Sequence, residues 1–182
     1  MASNPMRLLL CLWFLFIAGR RSGYPPIYVA WQDGSMKVTM MLADAAQAAE
    51  GKLYILGGGW SVTGPTPSPS AIALYIQVPW DRTNVEHSFR FDLIDSDGNA
   101  VELETEADVE ESITFEGTFE VGRPPGVKPG TSIDVPLAIN FGPLPLPPGG
   151  RYEWRLSINQ ESHEDWRLPF STRPASQAGD QG

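Results

Sequence analysis

From Lys37 onward, hydrophobic and polar positions alternate with a period of two along most of the chain. The clearest case is Arg151 to Ile158, read RYEWRLSI. Tyr152, Trp154, Leu156 and Ile158 fall on one face, and Arg151, Glu153, Arg155 and Ser157 on the other. That period belongs to a strand with one buried face. The preceding PLPLPPGG cannot continue a hydrogen-bonded ladder, so the strand starts cleanly. Trp154 sits at its middle. A buried Trp removes roughly 200 Å² from water, and the core is expected to close around it.

The same reading extends through the chain. Val38, Met40 and Leu42 share a face. Ala43 to Glu50 (ADAAQAAE) is open between a helical turn and an edge strand that closes at Glu50-Gly51. Leu53 to Leu56 reads as a buried strand, apolar on both faces, broken by Gly57, Gly58 and Gly59. Ile72, Leu74, Ile76 and Val78 alternate, then Phe89, Phe91 and Leu93. Asp97-Gly98 signals a hairpin turn with Val101 and Leu103 on the return. Phe115, Phe119 and Val121 alternate next, followed by the run from Ile133 to Phe141. Pro136 on the outward face of that run places it at a sheet edge or a change of sheet. Trp166, Leu168 and Phe170 make the last strand. About eight strands without a long helix predict an all-β fold, an antiparallel sandwich, with a closed barrel as the lesser alternative.

The ends differ from this body. Leu8 to Ala18 is an uncharged apolar run after Arg7. It is too short to span a bilayer. It reads as a secretory signal with a poor cleavage site, because Phe16 is not small, or as sequence upstream of a native start at Met36. The second reading is favoured. The expected organisation is therefore a leader over residues 1–35, one domain over residues 36–173 and a polar, disordered tail over residues 174–182. The expected location is cytoplasmic. Secretion or an envelope location through residues 1–18 is the alternative, with membrane association only if the leader is retained.

Charge and cysteine usage narrow the function classes. Three arginines against one aspartate give residues 1–35 a charge of +2, so the remainder carries −11 within a whole-chain charge of −9. Such a body is a poor match for nucleic acid and is repelled by anionic membranes. The one cysteine, Cys11, lies in the leader, which leaves the body without a disulfide, zinc cluster or thiol nucleophile. No cofactor and no metal is expected.

Candidate chemistry is sparse. Gly57-Gly58-Gly59 precedes Trp60-Ser61-Val62 rather than Lys-Ser/Thr, so a bulge or close backbone approach is preferred over a phosphate cradle. Asp95, Asp97 and Glu104 resemble a calcium loop, but its first ligand position falls on Leu93. A hairpin is preferred. Asp92 to Glu120 holds eleven carboxylates and no Lys or Arg, which reads first as a solvated face, with a dock for a basic partner or a weak divalent-cation site as the alternatives. His87 and His163 read as surface histidines outside any hydrolase signature. Trp154 and Trp166 belong to the core by alternation. Trp60 and Trp80 flank loops and are the best candidates for an exposed aromatic patch at one end of the sandwich. Pro143 to Pro148 reads as a stiff connector.

The blocks GKLYILGGGWSVTGP (Gly51 to Pro65) and PLAINFGPLPLPPGGRYEWRLSIN (Pro136 to Asn159) together resemble a bacterial family known only as a domain of unknown function. The resemblance covers about Met36 to Arg173. It implies a single immunoglobulin-like β-sandwich, usually without a leader and cytoplasmic. No activity is assigned to that family, so no catalytic or binding residue carries over. The functional expectation is a non-enzymatic interaction or structural module with an unidentified protein partner and unspecified oligomeric state. A carbohydrate or small-ligand domain using Trp60 and Trp80, with Asp95 and Asp97 as further candidates, is the alternative. The intact mass of the protein from its native cells is expected to begin at Met36 or the residue after it. A mass beginning near Gly19 would establish a cleaved signal instead.

Overall fold

The computed structural model describes residues 34–66, 68–104 and 110–175. The expectations for the leader, apart from Gly34 and Ser35, and for residues 176–182 of the tail lie outside the described residues. No helix among these residues is long and apolar enough to cross a membrane.

Twelve strands are described. In chain order they are β1 (Lys37–Ala43), β2 (Ala45–Ala49), β3 (Lys52–Leu56), β4 (Val62–Thr63), β5 (Ser70–Val78), β6 (Glu86–Asp95), β7 (Glu102–Glu104), β8 (Glu110–Ser112), β9 (Thr114–Glu120), β10 (Ile133–Phe141), β11 (Arg151–Ile158) and β12 (Arg167–Thr172). A single 3₁₀ turn, Trp80–Arg82, follows β5. The strands beyond the expected eight are mainly β2, β4 and β8, each two to five residues long. A period of two cannot be read from segments so short.

Three strands form one sheet in the order β1-β5-β10, and five form another in the order β4-β12-β11-β6-β9. All pairings are antiparallel except the two-residue β4/β12 contact, which is parallel. Both sheets feed one core. Ile72, Leu74, Ile76 and Val78 of β5 join Phe91 and Leu93 of β6 and Leu156 and Ile158 of β11 in a single buried cluster. Trp154 is fully buried at its centre. Its ring stacks on Phe115 at 5.1 Å, meets Phe91 edge-on at 6.4 Å and reaches Phe141 of the opposite sheet at 5.7 Å. Pro136 lies on β10, the outermost strand of its sheet, where its missing N–H removes no ladder bond.

Two hairpins complete the fold. The β7–β8 hairpin joins β6 to β9. The β2–β3 hairpin folds over the outer face of the three-stranded sheet. There Ala46 packs with Ala43, Ala71 and Ala73, and Leu53 and Ala138 lie against them. Asn140 fastens it: the side-chain amide donates to the Ala46 carbonyl at 2.8 Å and accepts from the Ala46 N–H at 3.1 Å. Small side chains on both layers allow this close approach. Ala43 to Glu50 is therefore a strand entering a tight turn. Both turn residues, Glu50 (φ 51°) and Gly51 (φ 70°), are left-handed, as a two-residue hairpin loop requires.

Leu53 to Leu56 is a strand but not a buried one. Tyr54, Ile55 and Leu56 are 52%, 39% and 69% exposed. An apolar run of four residues does not reveal whether a second layer covers it. Here β3 pairs with β2 alone, and its outward face meets no further layer of the described protein. His87 is also corrected, from surface to buried. Its side chain lies on the inward face of β6, 5.2 Å from the Phe119 ring.

Trp154→Ala is expected to cost about 3–5 kcal/mol, measured as a shift in urea midpoint at unchanged slope.

Candidate functional site

Trp60 emerges from Gly59, which has a φ of 90° that glycine alone adopts readily. Its ring is half-buried, edge-on to Phe170 at 6.1 Å. The indole N–H points inward and finds no acceptor among the described residues. Beside it lies an inter-sheet cavity of about 20 Å³, walled by Leu42, Ser70, Phe141, Leu146 and Phe170. That volume suits about one water molecule.

Trp80 opens the 3₁₀ turn and is also half-buried. The Arg123 guanidinium covers its ring at 4.5 Å. Arg123 is held there by donating to the Thr83 hydroxyl at 2.7 Å and to the Trp80 carbonyl at 2.9 Å. Thr83 in turn donates to the same carbonyl at 2.8 Å. A cation over the ring is a packing arrangement that uses one aromatic face.

The two tryptophans do not meet. Trp60 neighbours Ser70, the first residue of β5, while Trp80 follows Val78, the last. Nine residues of strand separate those ends by about 26 Å. No single aromatic surface contains both rings.

Asp95 and Asp97 build the β6–β7 turn. The Asp95 carboxylate accepts from the backbone N–H groups of Asp97 and Asn99, both at 2.9 Å. Its own N–H donates to the Asn99 carbonyl at 2.9 Å, and Gly98 closes the turn with a φ of 85°. These donors, Asn99 foremost, hold the Asp95 carboxyl below the usual aspartate range. Asp97 is exposed and supplies a backbone N–H. Among the described residues, no three His, Cys, Asp or Glu side chains converge to hold a metal.

Asp95 lies across from Tyr152, at the same end as Trp60. The Tyr152 hydroxyl donates to the Pro147 carbonyl at 3.3 Å, and burial followed by the Asp95 charge pushes its pKa up. Thr172 donates to the same carbonyl at 2.7 Å, which straps the proline-rich connector onto the sheet end.

The acidic stretch is partly neutralised. Arg90 bridges Asp92 at 2.8 Å and also pairs with Glu116. Arg90 and Glu116 rim a shallow groove of about 480 Å³ with Ser88, Thr118, Ser157 and Gln160. Residues 105–109 of the stretch, and the side chains of Glu104 and Glu110, lie outside the described residues.

The buried His87 is fully engaged. Asn159 accepts from the Ser88 N–H at 3.1 Å, which fixes its amide so that its NH₂ faces His87 Nδ1 at 2.9 Å. Nε2 therefore carries the proton and donates to the Arg82 carbonyl at 2.8 Å. The ring ties the 3₁₀ turn to β6 and the β11–β12 turn. His163 is exposed beside Trp166 at 4.3 Å.

Sequence reasoning missed the outward face of the β2–β3 hairpin. Its signal was present: Leu53 to Trp80 contains no charged residue, an isolated neutral stretch in an acidic chain.

A family model described as a Family of unknown function (DUF6941) matches residues 38–171. The chain belongs to this family. The DUF6941 match spans both sheets and both hairpins. No curated protein and no solved structure matches the chain.

Because Asp95 titrates below its unfolded value of about 3.9, its turn contribution is present above that pH and lost as pH falls through the depressed value. Asp95→Asn is expected to be less stable than the native chain at neutral pH. The gap should close in acid, read as thermal midpoints between about pH 7 and pH 2. A gap independent of pH would remove the carboxylate's charge from the explanation.

Proposed function

We propose that this DUF6941 domain is a non-enzymatic protein-interaction module that binds through the β2–β3 hairpin. The observation that carries the reading is the exposure of Tyr54, Ile55 and Leu56 together on one short strand. Scattered exposed apolar residues are ordinary, but adjacent ones on a strand with an open edge favour a partner. The strip is also neutral within an acidic body, so binding there is governed by apolar area and backbone pairing rather than by charge.

The domain is further proposed to be an immunoglobulin-like sandwich. Support comes from Tyr152 at the start of β11, whose hydroxyl bonds to the backbone carbonyl of Pro147 five residues upstream. That arrangement corresponds to the tyrosine corner of such folds. A non-enzymatic role is supported by His87, whose two ring nitrogens are both committed to structural hydrogen bonds.

The test compares quantitative recovery of partners from native lysate on the native domain and on Leu56→Lys. Leu56 is largely exposed, so the substitution should change stability by no more than about 0.5 kcal/mol. At least one stoichiometric partner should fall about tenfold or more on the variant, a loss equivalent to about 1.4 kcal/mol. Equal recovery on both proteins would take the hairpin out of the functional account.

A further inference from the structure

The outer edge of β3 carries its own specification for an occupant. The two-residue loop makes Ala49 and Lys52 a hydrogen-bonded pair. Alternation then makes Gln47/Tyr54 and Ala45/Leu56 hydrogen-bonded pairs as well. Leu53 and Ile55 consequently turn their N–H and C=O groups to the other edge, where no described strand meets them. On the β2 side, by contrast, the Asn140 amide occupies the backbone groups of Ala46.

Of the other outermost strands, β1 accepts a backbone bond from the Gly59 N–H at Leu42, and the rest are guarded. β10 carries Pro136 and Asp134, β9 carries Glu116 and Glu120, and β4 is two residues long. Charges, proline and shortness are the usual means by which edges resist pairing. β3 has none of them between Leu53 and Leu56.

We propose that the occupant is a second copy of this chain, with two β3 strands pairing antiparallel about a two-fold axis at Tyr54. This rests on the hairpin being the binding surface. In that register Leu53 of each copy faces Ile55 of the other in a hydrogen-bonded pair, using the backbone groups that β2 leaves unpaired. Tyr54 faces its own equivalent in a non-hydrogen-bonded pair, with Cβ atoms about 4.5–5.5 Å apart, where aromatic side chains interact favourably. Lys52 faces Leu56 and lays its aliphatic stem along it. No like charges meet along the seam.

The uncharged part of the strand, Leu53 to Leu56, is about 13 Å long. It buries far less than the roughly 800 Å² per partner of a stable interface, so the dimer is weak and forms with concentration. Each copy brings an acidic body, and their mutual repulsion is relieved by salt. Dimerisation therefore strengthens as ionic strength rises.

Sedimentation equilibrium of the full chain tests this at ionic strengths from about 0.05 to about 0.5 M. The native chain should dimerise more tightly at high salt. Tyr54→Lys and Tyr54→Glu should each weaken the dimer at least tenfold, because each sets like charges directly opposite. An equimolar mixture of the two should restore association through the opposite-charge pair. Tyr54 is half exposed, and circular dichroism of each variant verifies folding before the comparison. A native chain monomeric throughout overturns the proposal, as does a dimer indifferent to either variant, or a mixture that fails to associate. A monomeric chain that still recovers a partner dependent on Leu56 would show that the edge serves a different protein, so the interaction reading would survive alone. A monomeric chain without such a partner would end both.

Discussion

The structure depends on one indole placed between two sheets. Trp154 lies on β11, the middle strand of the five-stranded sheet, yet its ring reaches Phe141 on the edge of the three-stranded one. Phe91 and Phe115 from the two strands on its flank hold it at fixed angles. Offset and edge-on ring contacts are directional, unlike aliphatic packing, so they set the separation and register of the layers as well as filling space. Phe89 repeats the device one step along: it lies over Gly117, where a Cβ would come within 2.7 Å of its ring. A β-carbon at 117 would push Phe89 into the core, and the absence of one makes room for the aromatic row.

Much of this was legible in the chain. The alternation of β5, β6, β10, β11 and β12 identified the faces, and Pro136 placed its strand at an edge, because each of these segments is long enough to show a period. The hairpin at Asp97-Gly98 followed from local chemistry that needs no tertiary partner. What escaped was decided by layers. Ala71 and Ala73 sit on the outward face of β5 and are nonetheless fully buried, because the β2–β3 hairpin, a separate sheet, covers them. Leu53 to Leu56 looked buried for the converse reason. His87 was misread because a polar residue on an inward face acquires its partners, Arg82 and Asn159, only through folding. The separation of Trp60 from Trp80 likewise depends on the direction of β5, which no local pattern contains.

The proline-rich connector shows how the fold fixes a segment that lacks periodic structure. Between β10 and β11 it crosses from one sheet to the other, and four of its nine residues, Gly142 to Gly150, are prolines without a backbone N–H to donate. Its carbonyls take up the task. Pro147 accepts from both Tyr152 and Thr172, and the Gly150 N–H donates to the Thr172 hydroxyl at 2.9 Å. Gly150 permits this, since a side chain there would strike the Tyr152 ring. Leu144 and Leu146 then pack against the core. The connector is thereby fastened over the sheet end that carries Trp60.

The hairpin opposite the main core obeys a different balance. Its anchoring layer is mostly alanine, and burying alanine contributes far less than burying leucine or phenylalanine. A hairpin held by that layer alone would be marginal. Asn140 compensates by acting as a short substitute strand, bonding both backbone groups of Ala46. The arrangement leaves the larger side chains of Tyr54 and Leu56 free to face outward, while Ile55 sits opposite Ala46 on the inner face and is still partly exposed. Placing small residues under the hairpin and large ones on top inverts what stability alone would favour. An open apolar edge invites aggregation, and two features limit that hazard here. The Asn140 amide bonded to Ala46 hinders strand addition on the β2 side, and the excess negative charge of the body opposes uncontrolled self-association. An inverted layer that is guarded on one side and left open on the other is the arrangement required for a single pairing event rather than a growing sheet.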